Sequence, residues 1–142
     1  MKIDKLWNGL RRIANGDYVL EGDLISEETI EIDLDDRFVV NGKIRAKKSI
    51  VVCCGIEADW GIEAGEGIKA GEGIKAGCGI EAGCGIEAKT FINASKRIFA
   101  GISIYRTSKD CDKTIRCAEL RNGEICYGDL TITENGGSPH EG

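Results

Sequence analysis

Residues 55–88 read GIEADW GIEAGE GIKAGE GIKAGC GIEAGC GIEA, which is one six-residue phrase repeated almost without change. Every copy has an isoleucine and an alanine two positions apart, with a single charged residue between them. A short fixed period indicates a repeat architecture, and a six-residue period is typical of a parallel β-helix. The stretch therefore predicts an all-β solenoid.

Each phrase has the pattern of one short strand followed by one corner. Successive side chains of a strand point to opposite faces, so isoleucine and alanine share one face and the charged residue lies on the other. The residues that follow, such as Gly65, Glu66 and Gly67, favour a corner because glycine weakens strand interiors. A helix is excluded because a spacing of six residues does not keep one helical face.

Three strands and three corners predict a triangular coil with six residues per face. Residues eighteen positions apart then stack about 4.8 Å above one another. Cross-strand pairs of opposite charge favour this frame, and like-signed pairs oppose it weakly. The predicted neighbours are Glu57 with Lys75, Lys69 with Glu87, and the like-signed Glu63 with Glu81.

The same spacing of apolar residues extends on both sides of the perfect repeat. From Ile32 to Ala100 it gives twelve strands, or about four coils, of a single parallel β-helix. The pairs outside the perfect repeat are Ile32/Leu34, Phe38/Val40, Ile44/Ala46, Ile50/Val52, Ile92/Ala94 and Ile98/Ala100.

Residues 1–16 differ in kind from the repeat. They are basic, and Leu6, Trp7, Leu10 and Ile13 have the spacing of one apolar face of a short helix. We interpret this segment as a helical or coil cap over the first coil. The alternative is an anchor on a membrane surface, because basic amphipathic segments with tryptophan bind lipid.

The regular pattern ends near Ala100, so we divide the chain into residues 1–16, a solenoid at 17–100, a C-terminal β cap at 101–134 and a disordered tail at 135–142. In the cap, residues 102–105 are predicted as a strand and 108–113 as a loop. Residues 121–124 read RNGE, which predicts the turn of a β-hairpin.

Composition limits the class of protein. A chain of 142 residues is one domain with short appendages. Its net charge of −5 argues against direct nucleic-acid binding, which requires a basic face. No segment reads as a signal peptide, so we expect a cytoplasmic protein whose seven cysteines are reduced.

Enzymatic activity is not predicted. The six-residue period resembles that of the hexapeptide-repeat acyltransferases and the solenoid carbonic anhydrases, and this resemblance would imply a catalytic histidine or a three-histidine metal site. The chain has one histidine, His140, in the predicted tail. No nucleophile–base set or phosphate loop is present either. We therefore expect no enzyme, no cofactor and no metal.

The cysteines are interpreted as small fillers and free thiols rather than as metal ligands. Cys78 and Cys84 fall on different corners of the coil. Cys111, Cys117 and Cys126 lack the CxxC spacing of strong zinc sites, and a three-thiolate site built from them is the open alternative. The residues that share one corner position in successive phrases are Cys54, Trp60, Glu66, Glu72, Cys78, Cys84 and Thr90.

Trp60 stands out because a large aromatic residue occupies an outward corner of a glycine-rich ladder. Aromatic residues dominate the energetics of protein interfaces, so Trp60 is a candidate interface anchor. A tryptophan lying flat over neighbouring corners is the alternative. The candidate interface residues are Trp60, Glu57, Glu63, Glu66, Glu72, Glu81, Glu87 and Trp7.

On the repeat length and alternation of residues 30–100, the chain resembles the bactofilins of bacteria. That resemblance implies a short β-helix with flanking tails that assembles end to end. We therefore predict a self-associating structural scaffold, most simply a homo-oligomer, that acts through contacts with itself or another protein. The alternative is an acidic rod that binds and inhibits a nucleic-acid-handling partner, as a DNA mimic or an anti-CRISPR or anti-restriction protein does.

Overall fold

The repeated triplets of the sequence form short strands in a computed structural model, which describes residues 1–7, 10–101 and 113–133. Within these residues every regular element is a strand and none is a helix. The predicted all-β class is therefore confirmed. The strands are β1 (Lys2–Ile3), β2 (Leu10–Arg12), β3 (Tyr18–Leu20), β4 (Leu24–Ser26), β5 (Ile30–Ile32), β6 (Phe38–Val40), β7 (Ile44–Ala46), β8 (Ile50–Val52), β9 (Ile56–Ala58), β10 (Ile62–Ala64), β11 (Ile68–Ala70), β12 (Ile74–Ala76), β13 (Ile80–Ala82), β14 (Ile86–Ala88), β15 (Phe91–Ala100), β16 (Thr114–Cys117), β17 (Glu119–Tyr127) and β18 (Asp129–Ile132).

The strands pair in parallel into three stacks that the chain visits in turn. Stack A has the order β1-β5-β8-β11-β14-β16-β18. Stack B contains β3, β6, β9, β12 and the first half of β15, and stack C contains β4, β7, β10, β13 and the second half of β15. Seven strands in stack A correspond to about six turns of a parallel β-solenoid, so the predicted number of about four coils is too low.

The predicted eighteen-residue register is confirmed within the perfect repeat. Ile74 pairs with Ile56, and the neighbouring strands keep the same offset. The three charge pairs predicted from the sequence are therefore cross-strand neighbours: Lys75 with Glu57, Glu87 with Lys69, and Glu81 with Glu63.

The first full turn is longer by two residues, and the predicted pair Ile32/Leu34 is wrong. Ile30 pairs with Ile50 at an offset of twenty, so Ile30 and Ile32 are the inward residues of this strand. Leu34 is buried in the corner that follows. Apolar residues alternate through Ile30, Ile32 and Leu34, so both frames bury two of them and the pattern alone does not decide the register.

The core is one continuous column of isoleucines and alanines. The isoleucines of the perfect repeat are at most 2% exposed, and their alanines at most 3%. Burial of one isoleucine side chain contributes about 1.5–3 kcal/mol, whereas alanine contributes much less. Each turn therefore depends on its three isoleucines and on the turns that lie above and below it.

The prediction of a helix in residues 1–16 is wrong for the residues that the structure describes. Strand β1 pairs in parallel with β5, and β2 pairs antiparallel with β3. The backbone amides of Glu31 and Asp33 donate to the carbonyls of Met1 and Ile3 at 2.9 and 2.8 Å. Pairing with an open sheet edge satisfies these donors, which a helix would leave unpaired. Leu6 is 91% exposed, so no apolar helical face forms.

The predicted C-terminal hairpin is also wrong. Strand β17 runs through residues 121–124 without reversing and pairs in parallel with β15. Strands β16 and β18 continue stack A in parallel, so the solenoid extends well beyond Ala100. Gly123 has a φ of +125°, and the pairing with β15 is irregular at this point, so the Asn-Gly signal marks an irregularity within the strand rather than a chain reversal.

Three predictions fall on residues that the structure does not describe. They are the strand at 102–105, the loop at 108–113 except for its last residue, and the tail at 135–142. In the described ranges, no helix has the length and apolarity that a bilayer span requires.

Candidate functional site

Within stack A, and likewise within stack B, outward side chains of opposite charge are neighbours and largely neutralise one another. On stack A, Glu87 pairs with Lys69 on one side and Arg116 on the other, and the Arg116 guanidinium lies 3.8 Å from the Glu87 carboxylate. On stack B, Lys75 is the cross-strand neighbour of Glu57. Alternation of sign along a ladder is favourable, so these two faces carry little unbalanced charge.

Arg37, beside stack B, forms ion pairs with two carboxylates, one from the turn before it and one from the turn after it. Its guanidinium lies 2.6 Å from Asp17 and 3.3 Å from Glu57. The hydrogen bond to Asp17, followed by the nearby charges of Asp17 and Glu57, raises the pKa of Arg37 against the opposing effect of partial burial. One arginine therefore neutralises two acids from neighbouring turns.

Stack C differs from the other two. Its outward residues run Arg45, Glu63, Glu81 and Phe99 in adjacent register, so two like-signed carboxylates are direct neighbours. Arg45 lies 3.9 Å from Glu63, and within residues 1–7, 10–101 and 113–133 no ion-pair partner lies beside Glu81. Partial burial, and then the charge of Glu63, raise the pKa of Glu81, while Arg45 acts in the opposite direction.

Trp60 stands at the corner that leads into stack C. Its backbone amide donates to Gly42 at 3.1 Å, and its carbonyl accepts from the amide of Cys78 at 2.9 Å. The side chain is 63% exposed, which confirms the outward position predicted for it. A groove of about 950 Å³ brings Trp60 together with Glu63, Glu81 and Phe99; we call it the stack C groove.

Basic residues line both ends of the stack C groove along the axis of the solenoid. Lys43 lies one turn before Trp60, and Lys96 and Arg97 lie two turns after it. All three side chains are exposed. Glu124 also lines the groove and is the cross-strand neighbour of Arg97, so that end holds two cations and one carboxylate. The groove therefore has an acidic and aromatic middle between two ends in which basic residues predominate.

The other predicted interface residues lie elsewhere. Glu57 and Glu87 take part in the ion pairs described above, and Glu66 accepts a hydrogen bond from the Ser49 hydroxyl at 3.1 Å. Glu72 is exposed at another corner, and Trp7 packs against the core. The groove thus unites Trp60, Glu63 and Glu81 of the eight candidates.

Phe99 is a groove residue that the sequence reasoning missed. It occupies the outward position between Ile98 and Ala100, where the repeat carries a charged residue. An aromatic residue in that position was the signal that would have identified it.

A second exposed apolar surface lies at the C-terminal end of the solenoid. In β18, Leu130 pairs with Ile115 and Ile132 with Cys117, so both continue the inward column of stack A. Leu130 and Ile132 are 42% and 43% exposed, whereas Ile115 and Cys117 are fully buried. We call Leu130 and Ile132 the end patch.

The thiols do not form a reactive or metal-binding group in the described part of the chain. Burial raises the pKa of Cys53, Cys54 and Cys117, which keeps these thiols protonated and poor as ligands or nucleophiles. Cys78 and Cys84 lie on different corners, as predicted, because their amides donate to Trp60 and Glu66 respectively. In the same ranges no three histidine, cysteine or acidic residues are placed to hold a metal ion. Two further candidates, Cys111 and His140, lie outside the described residues.

Comparisons with protein-family models, curated proteins and solved structures gave no match to this chain.

Proposed function

We propose that this protein is a non-enzymatic structural scaffold that associates with further copies of itself through the C-terminal end of its solenoid. The end patch carries this proposal, because it is where inward core positions are left exposed to solvent. Strand β18 is the last member of stack A, so among the described residues its outer edge has no partner strand. An unpaired edge with apolar side chains is a template for another chain.

The two ends of the solenoid differ, and this difference favours a discrete assembly. At the first turn, Ile3 is fully buried and Tyr18 and Leu24 are each 5% exposed. Trp7 and Leu10 pack against the same core, which supports the proposal that residues 1–16 cap a solenoid of triangular cross-section. With one end covered and one exposed, two copies meet through their end patches. A bactofilin-like filament would need both ends to be open.

Membrane attachment through residues 1–16 is the weaker proposal. Arg11 lies 2.7 Å from Glu21, and Arg12 lies 2.7 Å from Asp36. Lys5 makes a further ion pair with Asp35 at 3.1 Å. Basic residues that are already neutralised within the chain attract anionic lipid less strongly.

Inhibition of a nucleic-acid-handling partner by charge mimicry is also weaker. A mimic of duplex DNA needs an unbroken row of negative charge. Here Arg37 and Arg116 neutralise Glu57 and Glu87, and Lys75 separates Glu57 from the next outward residue of stack B. The acidic row of stack C is only Glu63 and Glu81, because Arg45 precedes them and Phe99 follows them in register.

Light scattering coupled to size-exclusion chromatography tests the end contact. We expect the wild-type protein to form a concentration-dependent dimer, and Leu130→Glu combined with Ile132→Glu to remain a monomer. The control is Val51→Glu, because Val51 is also 40% exposed but lies on the side of stack A. A wild-type protein that stays monomeric at every concentration would contradict the proposal, as would a dimer that survives the double substitution.

A further inference from the structure

The stack C groove is built differently from the rest of the solenoid surface, and this difference indicates a ligand. On stacks A and B, each outward carboxylate of the ladder has a cation as a neighbour. On stack C, Glu63 and Glu81 stand side by side, and Glu81 is half-buried in the groove. A carboxylate held this way is unfavourable for the free protein and becomes favourable when a cation joins it.

We propose that the stack C groove binds an arginine side chain of another protein, with the guanidinium lying on Trp60 and hydrogen-bonded to Glu63 and Glu81. This goes beyond self-association, because it assigns a different surface and a different partner. The groove places an exposed indole and two adjacent carboxylates around one space of about 950 Å³. A guanidinium is the group that combines a flat face for stacking with several donors for carboxylates.

The chain itself contains both halves of this arrangement. Arg37 binds the carboxylates of Asp17 and Glu57 from two sides, at 2.6 and 3.3 Å. Arg121 lies over the ring of Phe91, with 3.9 Å between the guanidinium carbon and the ring centroid. In the stack C groove the carboxylates and the aromatic ring are present, and the arginine is the part that a partner would supply.

The charged ends of the groove define what flanks that arginine. Lys43 and Arg45 lie one turn before the Trp60–Glu63 level, and Lys96 and Arg97 lie one turn after the level of Glu81. Three steps of about 4.8 Å separate these basic ends, or about 14 Å along the axis. An extended peptide covers about 13–14 Å in four residue steps, which is the distance from the first to the fifth residue. A partner segment of the form Asp-Xaa-Arg-Xaa-Asp, lying along the axis, therefore matches the groove in charge and in length.

The test uses the labelled peptide acetyl-Asp-Ala-Arg-Ala-Asp and its fluorescence anisotropy on titration with the full chain. We expect saturable binding that weakens by about tenfold or more when citrulline replaces arginine, since citrulline keeps the shape and lacks the charge. Replacing both aspartates by asparagine should weaken binding less. Equal affinity for the arginine and citrulline peptides would overturn the proposal.

Substitutions locate the site. Trp60→Ala, Glu63→Gln and Glu81→Gln should each weaken binding of the peptide by about tenfold, because each removes a group that contacts the guanidinium. Glu87→Gln is the matched control, since Glu87 is an outward glutamate of stack A that Arg116 already neutralises. Melting curves by circular dichroism verify that each variant is folded. A loss of affinity in Glu87→Gln equal to that in Glu81→Gln would overturn the assignment.

A second copy of this chain is the competing occupant of the groove, and sedimentation separates it from the proposed one. If Glu63→Gln and Glu81→Gln abolish self-association, the groove holds a second copy and the proposal is wrong. If they leave self-association unchanged and weaken peptide binding, the proposal stands. Leu130→Glu changes only the end patch, so failure of the end contact is distinguishable from failure of the groove.

Discussion

Two classes of corner glycine in the repeat differ in the space beside them, and the structure predicts different responses to the same substitution. At Gly65, Gly71 and Gly77, a Cβ atom would lie 2.0 Å from the backbone carbonyl oxygen of the residue eighteen positions earlier. At Gly61 and Gly67, it would lie 3.3 Å from the nearest atom, a carbonyl oxygen of the next turn. Both classes are glycines of the same corners in the sequence. The first class follows the alanine of a phrase, and the second precedes the isoleucine of the next phrase.

The first class has no room for alanine. A Cβ atom essentially never approaches closer than 3.0 Å, so at Gly71 the two turns must separate by about 1 Å. The amide of Gly71 donates to Val52 at 2.9 Å, and separation weakens this bond. Overpacking of this kind costs about 1–3 kcal/mol, and the lower chain entropy of unfolded alanine offsets about 0.4–1 kcal/mol. We expect Gly71→Ala to lower the free energy of unfolding by about 1–2 kcal/mol.

The second class provides the matched control. At Gly67 the neighbouring oxygen needs to move by only a few tenths of an ångström. The small cost of this movement and the entropic gain are of similar size, so Gly67→Ala should change the free energy of unfolding by less than about 0.5 kcal/mol. Gly71→Ala and Gly67→Ala introduce the same side chain four residues apart, and the contrast between them isolates the contact between turns.

Urea denaturation followed by circular dichroism measures both variants. A difference of about 1–2 kcal/mol between them should appear as a shift of the midpoint at constant slope. The equivalent corner position holds residues larger than glycine one turn earlier. Lys47, Cys53 and Asp59 occupy the equivalent position one turn earlier, and the corner tolerates their side chains. If Gly71→Ala proved as stable as Gly67→Ala, the corners would be interchangeable and the steric reasoning would be refuted.

Two further predictions follow from the register and from the charge of stack C. Deletion of residues 61–78 removes one turn and joins Trp60 to an identical Gly-Ile-Glu-Ala phrase. We expect a folded protein in which the dependence of the free energy of unfolding on urea concentration is smaller by about an eighth. An unfolded product would contradict the eighteen-residue frame. Glu81→Gln should stabilise the protein by about 0.2–1 kcal/mol at pH 7, because it removes a like-charged neighbour of Glu63. The pKa of Glu81 is raised in the folded state, so ionisation of Glu81 lowers the stability of the fold. This loss of stability begins as the pH rises above about 4.3, the usual pKa of an unfolded glutamate, and it is absent well below that pH. Thermal melts at pH 3 and pH 7 measure this difference, and an equal gain at both would contradict the electrostatic cause.

The sequence allowed the central fold to be predicted because each phrase carries its own strand, corner and inward face. Ile62, Ile68 and Ile74 repeat with a period that no helix keeps, and their register followed from the period alone. Local signals were insufficient where pairing depends on distant residues. The Asn-Gly at residues 122–123 favours a hairpin in isolation, but in this chain the free edge of β15 takes up the segment as a further parallel strand. Residues 1–16 were misread for the same reason, since the edge of β5 recruits β1.

The site was partly predictable for a related reason. The adjacency of Glu63 and Glu81 followed from the eighteen-residue frame, and so did the outward position of Trp60. The frame alone could not show which of the eight candidates share one groove, because the groove is completed by β17, which lies outside the repeat and pairs irregularly with β15. Phe99 keeps the eighteen-residue frame opposite Glu81, whereas Asn122 enters the groove from β17, outside the repeat.

Departures from the repeat are therefore the informative positions of this chain. In a solenoid that repeats one phrase, residues that only build the fold are free to be identical from turn to turn, as the buried Ile–Ala pairs are. Trp60 and Phe99 break the phrase in outward positions, where they are not needed to fill the core. Both breaks fall on the groove that also holds the one like-charged pair of the repeat. Three independent departures that meet in one place are explained more simply by a common ligand than by stability, because the like-charged pair opposes folding.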